Sequence, residues 1–295
     1  MNVLSLTPPQ VQAIEASEGY WRSVLRRFLK DRVAVAAALV ILAILLAAVF
    51  AHWIAPMDPY AGRTFRRLRP IGTEGFPLGT DELGRDMLSR LIVGARMSLL
   101  MGVTPVLIAF GIGSVLGIAA GFVGGWFNTA VMRTVDVFYA FPSVLLAVAL
   151  SGALGAGLGN AMLSLTIVFI PPIVRVAEAV TTQVRGRDYV EAARASGAHA
   201  VTIVRVHVLG NVLGPIFVYA TSLISVSMIL ASGLSFLGLG VRPPEPEWGL
   251  MLNTLRTAIY VQPWVAALPG LCIFVTSIAF NMFSDRLRSA MDVKA

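Results

Sequence analysis

Two short stretches of this sequence hold ionisable side chains at spacings that could do chemistry. In DYVEAARASGAHAVTIVRVHVLGN, residues 188–211, Asp188, Glu191 and Arg194 recur every third residue among Ala192, Ala193, Ala195 and Gly197. That rhythm is helical, and its small residues would let the helix approach a groove on another protein closely. The plainer alternative is an amphipathic helix lying at a membrane surface with no partner. In GTDELGRD, residues 79–86, Asp81, Glu82, Arg85 and Asp86 stand among Gly79, Thr80 and Gly84. Here carboxylates and a guanidinium can pair locally and fix an entrance, or present a docking surface to a separate protein. Asp136 stands at the edge of an apolar run, where an ionisable group marks either a solute path or a headgroup boundary.

None of these groups forms a catalytic centre. A phosphate-binding loop needs Gly-Lys followed by Ser or Thr, because the lysine must reach the nucleotide phosphates. The two lysines, Lys30 and Lys294, follow Leu29 and Val293. His52, His199 and His207 make no HExxH pair, and Cys272 is the single cysteine, set inside an apolar stretch. A thiolate metal cluster and an intrachain disulfide are both excluded, and the chain is expected to bind no metal or cofactor itself.

The elements that must position these residues are set by composition. The 295 residues are 57% hydrophobic and 13% charged, with a mean hydropathy of +0.78, so the solvent is lipid. A bilayer core about 30 Å thick needs roughly 20 apolar residues per helix. Long continuous runs, without the alternation of barrel strands, predict helices at 33–51, 98–123, 135–154, 161–180, 212–232 and 265–283. Pro171 and Pro172 are expected to kink the fourth. The span interiors are almost free of ionisable groups, which argues against a transporter driven by ion gradients.

Six spans put both termini on one side. The net charge of +7 is spread through the segments between spans, which suits topology and lipid headgroups rather than nucleic acid. Residues 1–32 form a tail ending in Arg22, Arg26, Arg27, Lys30 and Arg32, the flank expected on the cytoplasmic side. The tail is too long, and the apolar run after it too extended, for a cleaved signal peptide. Residues 33–97 comprise the first span and an extracytoplasmic segment, 98–284 a core of five spans with a cytoplasmic loop at 181–210, and 285–295 a second tail. Against this orientation, the outer segment carries Arg63, Arg66, Arg67, Arg69, Arg85, Arg90 and Arg96. The proline-rich stretch around 241–248 reads as a stiff, plug-like outer element, with Trp248 and Trp264 as interfacial anchors.

The loop also carries a resemblance. Glu191, Ala192 and Ala193, then Gly197 four residues on, then Leu209 and Asn211, closely resemble the coupling-loop signature of ABC importer permeases. Gly210 departs from it, since the family has proline there; glycine still weakens a helix but lacks the rigid φ. GTDELGRDMLSRLIVGARMSLL (79–100), MRTVDVFYAFPSVLLAVAL (132–150) and SFLGLGVRPPEPEWGLML (235–252) resemble the C-type permeases of dipeptide, oligopeptide and nickel importers. The resemblance implies an all-α type I importer permease fold with six transmembrane helices, in a bacterial inner membrane with both termini cytoplasmic. It implies a second, homologous permease as heterodimer partner, two ATPase subunits that bind ATP and Mg, an extracytoplasmic solute-binding protein, and a peptide solute, with nickel or glutathione as alternatives. It also implies a coupling set of Asp188, Tyr189, Glu191, Ala192, Ala193, Arg194, Gly197, His207, Leu209 and Asn211. In it the loop helix docks into an ATPase cleft, Glu191 and Arg194 make polar contacts there, and His207 tethers the loop.

Overall fold

The computed structural model describes residues 20–291. The expected tails lie outside the described residues for 1–19 and 292–295. Among the described residues the chain is helical with no strand, and five helices are long and apolar enough to cross a membrane, or six if one bent pair counts as a single span.

Part of the expected N-terminal tail is a helix, α1 (Tyr20–Lys30). Val24 and Phe28, four residues apart, bury one face, while Arg22, Arg26, Arg27 and Lys30 stay exposed. Phe28 meets Phe283 edge-on, with ring centroids 5.3 Å apart. Asp31 then caps the first span, α2 (Arg32–Val49), by accepting from Val33 N at 2.8 Å. A single turn, α3 (Ala51–Ile54), leads into the outer segment.

The second span is much longer than its apolar run. It forms α4 (Met87–Val123), 37 residues that start where the Asp86 carboxylate accepts from Ser89 N at 2.8 Å. The predicted third span is instead two helices, α5 (Gly125–Tyr139) and α6 (Ser143–Leu154), bent by 87°. Pro142 explains the break: it offers no N–H and disfavours helical backbone at the residue before it. The fourth span, α7 (Leu158–Arg185), runs as one helix through Pro171 and Pro172.

Beyond α7 come the short α8 (Asp188–Ala195) and α9 (Ala200–Ile203), then one π turn, Val204–Val208, leading directly into α10 (Leu209–Phe236). After the proline-rich stretch, α11 (Trp248–Thr254) packs against α10, α4 and the last span, α12 (Pro263–Met291). The core lies among α4, α7, α10 and α12, with Met101, Leu165, Ile173, Ile216 and Met228 among its fully buried side chains.

The tightest seam joins α4 to α7. A Cβ on Gly113, Gly117 or Gly121 would lie within 3 Å of Ile173, Ala177 or Thr181 respectively. In lipid, where apolar surface alone does not drive helices together, such a ladder of small residues permits the backbone approach that dispersion requires. Trp248 differs from its expected role. It is 3% exposed, and its Nε1 donates to Leu91 O at 2.9 Å, so its polar end is satisfied inside the fold. Trp264 is exposed.

Candidate functional site

The loop between α7 and α10 is anchored on one face and exposed on the other. Val190 is fully buried, and Ala193 and Ala198 pack against the main core. Glu191, Ala192, Arg194 and Ala195 face outward. Asp188 and Glu191 lie in the first turn of α8 and Arg194 in its last, the arrangement that suits the helix dipole. Gly197 closes the helix at φ +79°, a left-handed conformation that other residues adopt only with strain. Gly197 N donates to Arg194 O at 3.1 Å and Ala198 N to Ala193 O at 3.2 Å, a pattern that satisfies the last carbonyls.

The same loop is tied to α10 at its other end. Tyr189 and His207 approach with ring centroids 6.2 Å apart, and Asn211 Nδ2 donates to His207 O at 2.7 Å. The helix continues through Leu209 and Gly210. The backbone break expected near Gly210 is instead the π turn just before it, which holds Arg205 and His207 in a widened coil.

The motif at residues 79–86 is mostly buried. Thr80, Asp81, Arg85 and Asp86 are each at most 5% exposed. Arg85 Nε donates to Asp81 Oδ2 at 2.6 Å, and Arg90 Nε lies 3.2 Å from that same oxygen. The other Asp81 oxygen accepts from Leu83 N and Arg85 N, both at 2.9 Å. Thr80 Oγ1 accepts from Arg69 N at 2.8 Å. Gly84 (φ +76°) and Gly79 (φ +78°) turn against the backbone at Arg63 and Arg69, where a Cβ would collide with a carbonyl oxygen. Arg90 Nη1 donates to Pro59 O at 3.0 Å. These contacts knot the segment over the N-terminal end of α4.

A second buried carboxylate stands in the proline-rich stretch. Glu247 is 1% exposed and caps α11, accepting from Gly249 N and Leu250 N at 2.8 Å each, with Ser98 Oγ at 3.2 Å. Burial raises its pKa above the ordinary carboxylate value, opposed by those two backbone donors. Tyr60 Oη donates to Glu245 at 2.8 Å, joining the proline-rich stretch to the segment between α3 and α4.

Asp136 lies at the C-terminal end of α5, beside the bend, and is paired with a residue that the sequence reading passed over. Arg175 Nη2, from α7, donates to Asp136 Oδ1 at 2.5 Å. The Arg175 guanidinium also lies over the Tyr139 ring, 4.4 Å from its centroid. The available signal was a lone arginine inside the apolar run VFIPPIVRVAEAV, residues 168–180.

Apolar spanning helices around a packed core, with a short helix exposed between two of them, are the architecture of a membrane permease. Residues 113–293 match the family described as binding-protein-dependent transport system inner membrane component. Residues 19–70 match the N-terminal TM domain of oligopeptide transport permease C. The chain is 41% identical over 274 residues to the glutathione transport system permease protein GsiD of Pectobacterium atrosepticum, covering 93% of this chain and 91% of that protein. The GsiD protein of Escherichia coli is equally similar, at 41% identity, with 93% and 90% covered. A chain of the inward-facing MetNI methionine ABC transporter shares the fold, with a TM-score of 0.56, 22% identity, and 69% of this chain and 97% of that chain covered. The protein therefore belongs to the binding-protein-dependent transport system inner membrane component family, in its oligopeptide permease C branch, and is a permease subunit of an ABC importer.

Proposed function

We propose that this chain is half of a heterodimeric pathway for peptides, driven from the cytoplasm by two ATPase subunits that bind the ATP and Mg. The observation that carries the reading is the form of α8. Its outward face is small and polar, its inward face is pinned by Val190, and it is joined through short connections to α7 and α10. A partner that moves α8 must move both spans, because packed cores shift between discrete arrangements rather than deforming smoothly.

The loop is assigned to the cytoplasmic side, with both termini there. Of the outer arginines that weigh against this, Arg85 and Arg90 are spent in the buried knot, and Arg96 caps α2 by donating to Ala48 O and Val49 O. Glutathione, a tripeptide, is the first solute to test, since the 41% identical relatives carry that name. A solute-binding protein delivers it to the outer face. In sealed vesicles holding both permeases, the ATPases and the binding protein, peptide uptake should follow ATP and ignore an ion gradient. Uptake driven by a gradient without ATP refutes the reading.

A further inference from the structure

Arg175 and Asp136 occupy an unusual position for charges. Arg175 lies on α7, five residues before the end of the apolar run 161–180, about 7.5 Å along the helix axis. The two side chains are nevertheless 45% and 46% exposed in this chain. Charges at that depth are costly against hydrocarbon, so the side they face must be water-filled or covered by protein.

Two cavities are lined by neighbours of the pair. One of about 290 Å³, lined by Phe138, Tyr139, Phe141, Pro172 and Tyr219, sits at the bend between α5 and α6. The other, of about 540 Å³, is lined by Val176, Val180, Tyr219, Asp285 and Arg288. Tyr219 borders both, and on α7 Arg175 falls between Pro172 of the first and Val176 of the second. The ion pair thus adjoins the first cavity through Tyr139, which lines it and lies beneath the Arg175 guanidinium.

We infer that Arg175 is a subsite for a carboxylate of the transported solute, with Asp136 as the counterion that the solute displaces. The inference rests on the importer reading above. Asp136 engages a single guanidinium nitrogen, whereas the planar fork of arginine can hold a carboxylate through two parallel bonds. Tyr139 covers the face of the guanidinium and leaves its edge to the ligand. The displaced carboxylate has a second partner waiting, since Arg133 Nη1 lies 3.8 Å from Asp136 Oδ2 and is largely exposed. The aromatic lobe beside Tyr139 takes a side chain of the solute. Free Arg175 is thereby never left unpaired within the span, and binding exchanges one carboxylate for another.

The test uses the complete assembly in vesicles and two probes, radiolabelled tri-alanine and its C-terminal amide, with the affinity of the binding protein for each measured separately. After correction for that affinity, the wild type should prefer the free acid by roughly tenfold, the scale of a hydrogen bond to a charged group. Arg175→Gln should abolish the preference. Arg175→Lys, which keeps the charge but loses the fork, should leave part of it, so the ratio stays readable if the glutamine variant assembles poorly. Asp136→Asn removes the competitor and should increase the preference. A preference unchanged in Arg175→Gln, or a fall in uptake of acid and amide alike in Asp136→Asn, overturns the inference and leaves the pair a structural strut. ATP-driven uptake of both forms without any acid preference refutes this inference alone, whereas ATP-independent behaviour of the wild type refutes the importer reading beneath it.

Discussion

Replacing Ala192 with tryptophan tests the proposed coupling directly. Ala192 is exposed on the outer face of α8, so an indole there meets solvent in the isolated chain. A surface substitution of this kind changes stability by about 0.5 kcal/mol or less, to which the weaker helix propensity of tryptophan adds a few tenths. In a partner cleft shaped around a methyl group the same side chain is overpacked, at a cost of about 1–3 kcal/mol. At 1.4 kcal/mol per tenfold, docking weakens about 5- to 150-fold. The assay compares ATP-driven uptake with ATPase rate in vesicles, using Ala192→Ser as a small-residue control that should transport normally. Wild-type uptake by Ala192→Trp would refute the reasoning, because no cleft could then be closing on this face. Gly197 is a poorer probe of the same idea. A Cβ there meets nothing within 4 Å, but its φ of +79° costs a non-glycine residue about 1–2 kcal/mol whatever the partner does. A failure of Gly197→Leu would therefore not separate a broken helix cap from a blocked cleft.

Three further outcomes follow from buried contacts. Gly117→Ala puts a methyl 2.5 Å from both Val174 O and Ala177 Cβ, so it should lower stability in detergent by about 1–3 kcal/mol, while Gly111→Ala, with nothing within 4 Å, should not; equal melting of the two variants would contradict the seam. Asp81→Asn leaves the buried Arg85 and Arg90 without their shared carboxylate and should cost about 3–5 kcal/mol, read as lost folded protein after purification; normal yield and melting would refute the knot. Glu247 has its pKa raised by burial above 4.5, so the folded state binds the proton more tightly than the unfolded chain. Its contribution to stability is full below the unfolded value and is lost as pH rises through the folded one. The difference in melting temperature between wild type and Glu247→Gln should therefore shift with pH in that window, and a constant difference would show that the carboxyl titrates normally.

The spans were legible because hydropathy reports one thing well, the length of chain that needs no water. Their ends were not. The start of α4 at Met87, eleven residues before its apolar run, is decided by the Asp86 cap and by ion pairs that seal the charges of Asp81, Arg85 and Arg90 inside the fold. The 87° bend was hidden because α6 and the end of α5 form one apolar stretch, in which Pro142 alone marks the break. The coupling loop stood out as a charged, alanine-rich segment between spans, but the π turn around His207 has no composition of its own and depends on how α10 packs. Arg175 was missed for an opposite reason. A single arginine barely changes the mean hydropathy of a long window, so counting spans averages away the residue that matters most within one.

The placement of that arginine relates the proposed solute subsite to the proposed coupling helix. Arg175 is carried by α7 and Tyr219 by α10, the helices that flank α8, whereas Asp136 is carried by α5 and has no covalent path to α8 except through α6 and α7. On the proposed coupling, a push on α8 moves Arg175 and Tyr219 with it. Asp136 follows only as far as the contacts of α5 with α4 and α7 oblige it to. An ion pair that spans such a boundary is sensitive to motion, since charge-assisted hydrogen bonds weaken steeply once donor and acceptor separate. If both proposals hold, movement of α8 and exchange of the Arg175 counterion are two descriptions of one event. Joining α5 to α7 by a crosslink between cysteines placed where the two helices touch should arrest uptake while leaving ATP binding by the partner subunits intact; undiminished transport in the crosslinked assembly would mean that these helices do not move apart.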